Sequence, residues 1–253
     1  MNKFRYIKIG MLLSVALMCG AFRGVFAQDV VVYTEHYPPF NYLNENGEVD
    51  GLATAKVKQI LDAANITYDI HMVPWPRAMQ LSKTQDNALI YTITRTPSRE
   101  KDFHWLVPFA PTNFHVYMRA GDNREMTSEA LRAGAYTGSC IVSDISCELL
   151  AWIGMPTEKI IPNLKQSTGD FRMVIARRAD FYVSEFVVND QLRKLEGYDV
   201  SLTKPVMKLD VETGFYLAGS RELSTDVRNK IRTAYGALLD SGAYSLLDLT
   251  KSE

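Results

Sequence analysis

The sequence predicts an α/β fold of two lobes, each a mostly parallel sheet flanked by helices. Three observations carry that expectation. Short β-branched and aromatic runs alternate with segments of helical apolar spacing, the pattern of parallel strands joined by crossover helices. A second unit of the same kind starts near Gly121. Of the 253 residues, 47% are hydrophobic and 23% charged, enough apolar surface for one large core or two small ones. With a net charge of −1, this composition excludes disorder as the main state and lacks the basic footprint of a nucleic-acid binder. The glycines and prolines show no period, which excludes a collagen-like chain.

The chain opens with a positive region, Lys3, Arg5 and Lys8, and carries no acid before Asp29. An apolar run from Ile9 to about Phe22 follows, shorter than the roughly 20 residues needed to cross a bilayer. Val25-Phe26-Ala27 then places small residues at the −3 and −1 positions of a cleavage site before Gln28. This three-part pattern predicts a cleaved secretory signal peptide over 1–27, with a retained anchor helix as the alternative. Leu17-Met18 ahead of Cys19 lacks the small residues of a lipid-attachment site. Removing Lys3, Arg5, Lys8 and Arg23 takes 28 basic residues to 24 against 29 acidic ones, a mature net charge of −5. The expected product is a soluble periplasmic monomer. It retains Cys140 and Cys147, which an oxidising compartment permits to pair. In one helix their spacing would hold them about 10 Å apart, too far to bridge, so a disulfide requires Cys140 to precede the helix.

The first unit begins with Val30–Tyr33, a buried-strand run, then the stiff loop Tyr37-Pro38-Pro39-Phe40 and a turn at Asn44-Glu45-Asn46-Gly47. Leu52, Ala53, Val57, Ile60, Leu61 and Ala64 recur at helical spacing. Ile66–Val73 alternates like a strand, and Arg77–Ser82 reads as a short helix after Pro74 and Pro76. Ala88–Tyr91, Phe103–Val107 and Phe114–Met118 complete the strands. In the second unit Ala135-Tyr136 is a short strand leading into Thr137-Gly138-Ser139. A helix is expected from about Ser143 to Ile153, a strand at Ile160-Ile161, a helix over Phe171–Ala176, a strand at Phe181–Val183 and a helix over Val187–Lys194. Phe215–Ala218 is a late strand, and Ser224–Leu239 a long helix opened by Ser-Thr-Asp.

No GxSxG elbow, HExxH, CxxC, phosphate-binding loop or GxGxxG is present. His36, His71, His104 and His115 lie singly, so neither a metal nor a cofactor is expected. The distinctive segment is Thr92-Ile93-Thr94-Arg95-Thr96-Pro97-Ser98-Arg99-Glu100. It follows a buried strand, at the end where open α/β sheets bind ligands. Threonine hydroxyls and a guanidinium converging there suit a carboxylate. The plainer alternative is a solvated polar loop.

The order Tyr37-Pro38-Pro39-Phe40, Gly47, Gly51-Leu52, Trp75, Thr92-x-Thr94-x4-Arg99 and Phe103 resembles the type II periplasmic solute-binding proteins. More closely, it is similar to the family 3 group that serves amino-acid ABC importers, and most strongly so from Tyr33 to Pro108. The resemblance implies a periplasmic-binding-protein-like fold with a ligand cleft between the lobes. It implies that Arg99 holds the α-carboxylate of an amino acid with Thr92 and Thr94, and that Tyr37 walls its side chain above Phe40. Gly138-Ser139 matches a turn opening a helix, so Ser139 would complete the carboxylate site with free N–H groups. Glu185 matches the ammonium acceptor, with Asp180 a structural acid. The chain departs from the pattern at Ser98, where the family commonly has an acid, and at Arg178, which replaces a glycine. Arg95 and Arg77 are competing cations. Trp75 either stacks on the ligand or caps the core.

The expected function is a secreted protein that captures an amino acid or related small carboxylate for an ABC-type importer, with a membrane permease as partner and no catalysis. The alternatives are a dehydratase of the same fold, with Glu185 as acid or base, and a sensory ligand-binding module. The expected lobes are 28–117 with 214–253, and 118–213, joined by hinge crossings.

Overall fold

A computed structural model describes residues 29–164 and 168–249. The expected signal peptide and its cleavage site lie outside the described residues.

The first five-stranded sheet is built from β1 (Val30–Thr34), β4 (Tyr68–Met72), β5 (Ala88–Thr94), β6 (His104–Pro111) and β12 (Gly214–Gly219). Its order is β4-β1-β5-β12-β6, with β1 parallel to β4 and β5, and β12 antiparallel to β5 and β6. Between β1 and β4 lie the small pair β2 (Tyr42–Leu43) and β3 (Val49–Asp50), then α1 (Leu52–Ala63); α2 (Trp75–Thr84) joins β4 to β5. Every residue of β5 is buried, as a central strand covered on both faces must be. Leu89 and Tyr91 join the core beneath α1 and α7 (Thr225–Asp240), while Ala88 and Ile90 join the one beneath α2. Ser224 caps α7 by accepting from the Val227 N–H at 3.2 Å.

The second sheet has the order β11-β7-β10-β8-β9, from β7 (Phe114–Arg119), β8 (Gly138–Ile141), β9 (Ile160–Asn163), β10 (Phe181–Glu185) and β11 (Thr203–Lys208). Here β8 runs parallel to β9 and β10, and β7 antiparallel to β10 and β11. Helices α3 (Ser128–Arg132), α4 (Ile145–Trp152), α5 (Gly169–Ile175) and α6 (Phe186–Leu195) flank it. Each sheet therefore pairs its crossover strands in parallel, and the strands that carry the chain between sheets run antiparallel.

Those passages occupy 112–113 and 209–213, because β7 already belongs to the second sheet. The first thus lies ahead of position 117. They run side by side: Thr112 N–H donates to the Thr213 carbonyl at 3.0 Å, and the two threonine hydroxyls lie 2.5 Å apart. Cys140 sits in β8 and Cys147 in the first turn of α4, with Cα atoms 4.9 Å apart, and they form a disulfide. The strand placement of Cys140 brings together two residues that a continuous helix would hold apart.

Candidate functional site

The cleft lies between the sheets, at the ends of β1, β5, β8 and β10. On the first-lobe side the Tyr37–Phe40 loop is docked on the start of α1, whose Leu52 and Ala53 N–H groups donate to the Pro39 and Phe40 carbonyls at 3.0 and 2.9 Å. Gly51 makes this possible. Its φ is +124° and a Cβ would meet the Phe40 carbonyl oxygen at 2.4 Å. Tyr37 stacks along Phe40 at 6.1 Å and meets Phe215 edge-on at 5.9 Å.

Thr92 has φ +57° and is the extra residue of a bulge in β5, since Tyr91 pairs with Leu217 and Ile93 with Tyr216. Its hydroxyl donates to Asn41 Oδ1 at 2.7 Å, and Asn41 Nδ2 reaches the Glu35 carbonyl at 2.5 Å. Thr92 is thus engaged with the aromatic loop. Thr94 is buried and accepts, through its carbonyl, from Arg99 Nη1 at 3.3 Å.

Arg99 is buried at 4% exposure and makes its principal contacts across the cleft. Nη2 lies 2.7 Å from Glu148 Oε1 on α4 and donates to the Ser143 carbonyl at 3.2 Å. Trp75 Nε1 donates to the same carbonyl at 2.8 Å, and the Arg99 guanidinium lies 6.0 Å from the Trp75 ring centre. Ser143 has φ +65°, a turn that presents its carbonyl to both donors. Ser98, where the family pattern has an acid, donates to Glu148. The carboxylate beside Arg99 comes from the opposite lobe instead. Arg95 is exposed and held by Glu100 at 2.6 and 2.9 Å, and exposed Arg77 donates to Gln80 on its own helix.

On the second-lobe side Ser139 is a strand residue of β8, and its hydroxyl donates to Asp170 Oδ1 at 2.9 Å. Gly138-Ser139 does not open a helix. The following helix starts at Ile145, where Asp144 accepts from the Ser146 N–H at 2.9 Å. Glu185 ends β10 and caps α6, Oε2 accepting from the Val187 and Val188 N–H groups at 2.8 and 3.2 Å. Oε1 is buried without a hydrogen-bond partner. Burial raises Glu185 to about 7 against the backbone N–H groups of Val188, Val187, Asn113 and Phe186, and burial with the charge of Asp144 raises Asp170 to about 7 against the Ser139 hydroxyl. Asp180 accepts from Thr137 at 2.8 and 2.9 Å and pairs with Arg124 at 2.6 Å.

A cavity of about 60 Å³ lies between the lobes. Of the seven expected contact residues, Tyr37 and Glu185 line it; Trp75, Thr92, Thr94, Arg99 and Ser139 do not. Glu35, Asp144 and Asp170 line it as well. Burial and the charge of Asp144 push Glu35 well above the usual carboxylate range, against the pull of Arg99. Burial and the carboxylates of Glu185, Asp144 and Glu35 push Tyr37 upward too. Sequence reasoning missed these three acids, although Glu35 stands just past β1, at the ligand-binding end of a strand. Asp144 stands just before an apolar helix, where a cap belongs.

The profile of the bacterial extracellular solute-binding proteins, family 3, matches residues 30–248. The chain belongs to that family. No curated protein matches its sequence. Among solved structures, a histidine kinase sensor domain with similarity to periplasmic binding proteins superposes with a TM-score of 0.74 at 16% identity, covering 86% of this chain and 92% of its own. The arginine-, lysine-, histidine-binding protein ArtJ from Geobacillus stearothermophilus gives 0.72 at 14%, covering 86% and 92%. An ancestral arginine-binding protein bound to arginine gives 0.70 at 17%, covering 85% and 94%. At these identities the likeness is one of fold, the two-lobe periplasmic-binding-protein architecture. Family 3 members are solute-binding proteins, described as extracellular.

Proposed function

We propose that the protein is exported to the periplasm and captures a small amino-acid-like solute between its lobes for delivery to a membrane permease. The carrying observation is the cavity between the two sheets, lined by Tyr37 and by Glu185, whose Oε1 is buried and unpartnered. Glu185 takes the amine of the solute and Tyr37 packs on its carbon skeleton. Arg99, Trp75, Thr92, Thr94 and Ser139 shape the cleft around them, and the passages at 112–113 and 209–213 are the hinge. The charged n-region and the cleavage pattern before Gln28 support export, and the Cys140–Cys147 bridge suits an oxidising compartment. Binding, with no bond made or broken, is the proposed activity.

The test is a thermal-shift screen of the purified protein against amino acids, amines and small acids. A true ligand at a hundred times its Kd adds about 2.7 kcal/mol, a shift of several degrees. Silence from every small solute would sink the reading. A sensory role is the second reading, favoured by the fold shared with the histidine kinase sensor domain. Affinity capture with the liganded protein separates the two, by retaining either a permease or a receptor kinase.

A further inference from the structure

We infer that the solute of this cleft is a cationic amine without a free carboxylate, because the guanidinium positioned to anchor a carboxylate is held by the protein's own Glu148. The inference rests on the solute-binding reading and narrows its ligand class. Arg99 is the buried arginine at the end of β5, and its Nη2 is engaged by Glu148 Oε1 at 2.7 Å and the Ser143 carbonyl at 3.2 Å, its Nη1 by the Thr94 carbonyl at 3.3 Å. A solute carboxylate reaching Arg99 would have to displace an internal one that Ser98 also holds. Arg99 is not among the residues lining the cavity.

Four carboxyl groups do line it, Glu35, Asp144, Asp170 and Glu185. One of them points to a ligand independently of the cluster: Glu185 is fully buried, and its Oε1 has no hydrogen-bond partner. A buried acceptor left unpaired is costly, and an ammonium donor in the cavity relieves that cost. Among the described residues, the arginine lining the cavity, Arg193, is already engaged. It is 2% exposed, pairs with Asp190 at 2.6 Å, donates to the Val200 carbonyl at 3.0 Å and also bonds Thr203. His36, also in the lining, is held below its usual range by burial, so it adds little positive charge at neutral pH. With no basic group free among the described residues of the lining, a solute carboxylate would face four acids. A diamine or an amidated amino acid would bring its cationic donors to those acids without adding a carboxylate of its own.

The experiment compares matched probes by calorimetric titration on the purified protein: arginine against argininamide, lysine against lysinamide, and putrescine. The amides keep the skeleton and the amines and lack only the carboxylate. The expected result is that each amide binds at least tenfold more tightly than its acid, and that putrescine binds. A free amino acid binding as tightly as its amide overturns the inference and leaves solute binding intact. Silence toward amines, amides and acids alike overturns the solute-binding reading and the inference with it. Glu148→Gln gives a second readout. Releasing Arg99 should raise the affinity for arginine relative to argininamide by at least fivefold, and an unchanged ratio overturns the role assigned to Glu148.

Discussion

The two walls of the cleft are built on opposite principles. Around Arg99 the polar side chains of the first lobe are partnered: Arg99 on Glu148, Ser143 and Thr94, Trp75 on Ser143, and Thr92 on Asn41. On the second lobe the buried carboxyls are under-partnered, since Asp170 has one hydroxyl donor and Glu185 leaves an oxygen unpaired. A partnered wall holds the lobes in register, and an under-partnered wall is prepared to accept something. On the proposed function, closure rests on the Arg99 contacts and recognition of an amine on the carboxyls that line the cavity.

The largest expected effect breaks the partnered wall. Arg99→Ala strips a nearly fully buried cation from its lobe-bridging contacts and should cost about 3 kcal/mol of stability by urea denaturation. Because the bridge joins the lobes, small-angle scattering of the variant should also report a wider particle. Unchanged stability and unchanged dimensions would mean the Arg99–Glu148 contact does not hold the cleft.

Replacing Cys140 and Cys147 together by serine tests the scaffold behind the second wall, because Cys140 adjoins Ser139 in β8. The bridge closes a short loop, so its loss should lower stability by about 2 kcal/mol. Reductant should lower the wild-type midpoint by a similar amount and leave the variant unaffected. Equal sensitivity in both would show that the bridge contributes nothing.

Glu185→Gln sharpens the contrast through pH. Burial lifts Glu185 and Asp170 to about 7 in the folded state. A carboxyl whose folded pKa exceeds its unfolded value binds more protons folded than unfolded between the two. Stability is then greatest below the unfolded pKa near 4 and falls as pH climbs to about 7. The glutamine carries no titrating group, so the loss of stability between pH 5 and pH 8 should shrink by on the order of 2 kcal/mol. Glu35, His36 and Tyr37 from the first lobe, with Asp144 and Arg193 from the second, face the same cavity and supply the background slope. Parallel pH profiles in wild type and variant would remove Glu185 as its source.

The fold was legible because its signals are local. β-branched runs such as Val30–Tyr33 and the apolar spacing of Leu52–Ala64 need no distant partner to be read. Of the residues named by the family resemblance, Glu185 at the end of β10 and Tyr37 in the proline loop line the cavity. What failed to show were relations across the cleft. Ser98 reads as the loss of an acid, and only the fold reveals that Glu148, fifty residues on, stands in its place. Likewise Gly138-Ser139 has the composition of a helix-opening turn, yet parallel pairing of β8 with β9 and β10 keeps it extended, and the helix waits for Asp144. Spacing along the chain carries no information about which charges meet in space.

The smallest expected effect tests whether the first wall is partnered by design at its edge. Thr92 occupies the left-handed region at φ +57°, uncommon for a β-branched residue, and its hydroxyl donates to Asn41, itself fully buried. Thr92→Ala removes the donor and leaves Asn41 Oδ1 short of a partner, which should cost about 1 kcal/mol. Alanine gains little at that φ, because it keeps a Cβ; Thr92→Gly removes the Cβ and recovers part of the loss. The order of stability by urea denaturation should therefore be wild type, then glycine, then alanine. Because Asn41 Nδ2 in turn holds the Glu35 carbonyl, both variants should also loosen the loop that carries Tyr37, seen as faster amide exchange from 35 to 41. Exchange unchanged in both variants would confine Thr92 to its own bulge and detach it from the cleft.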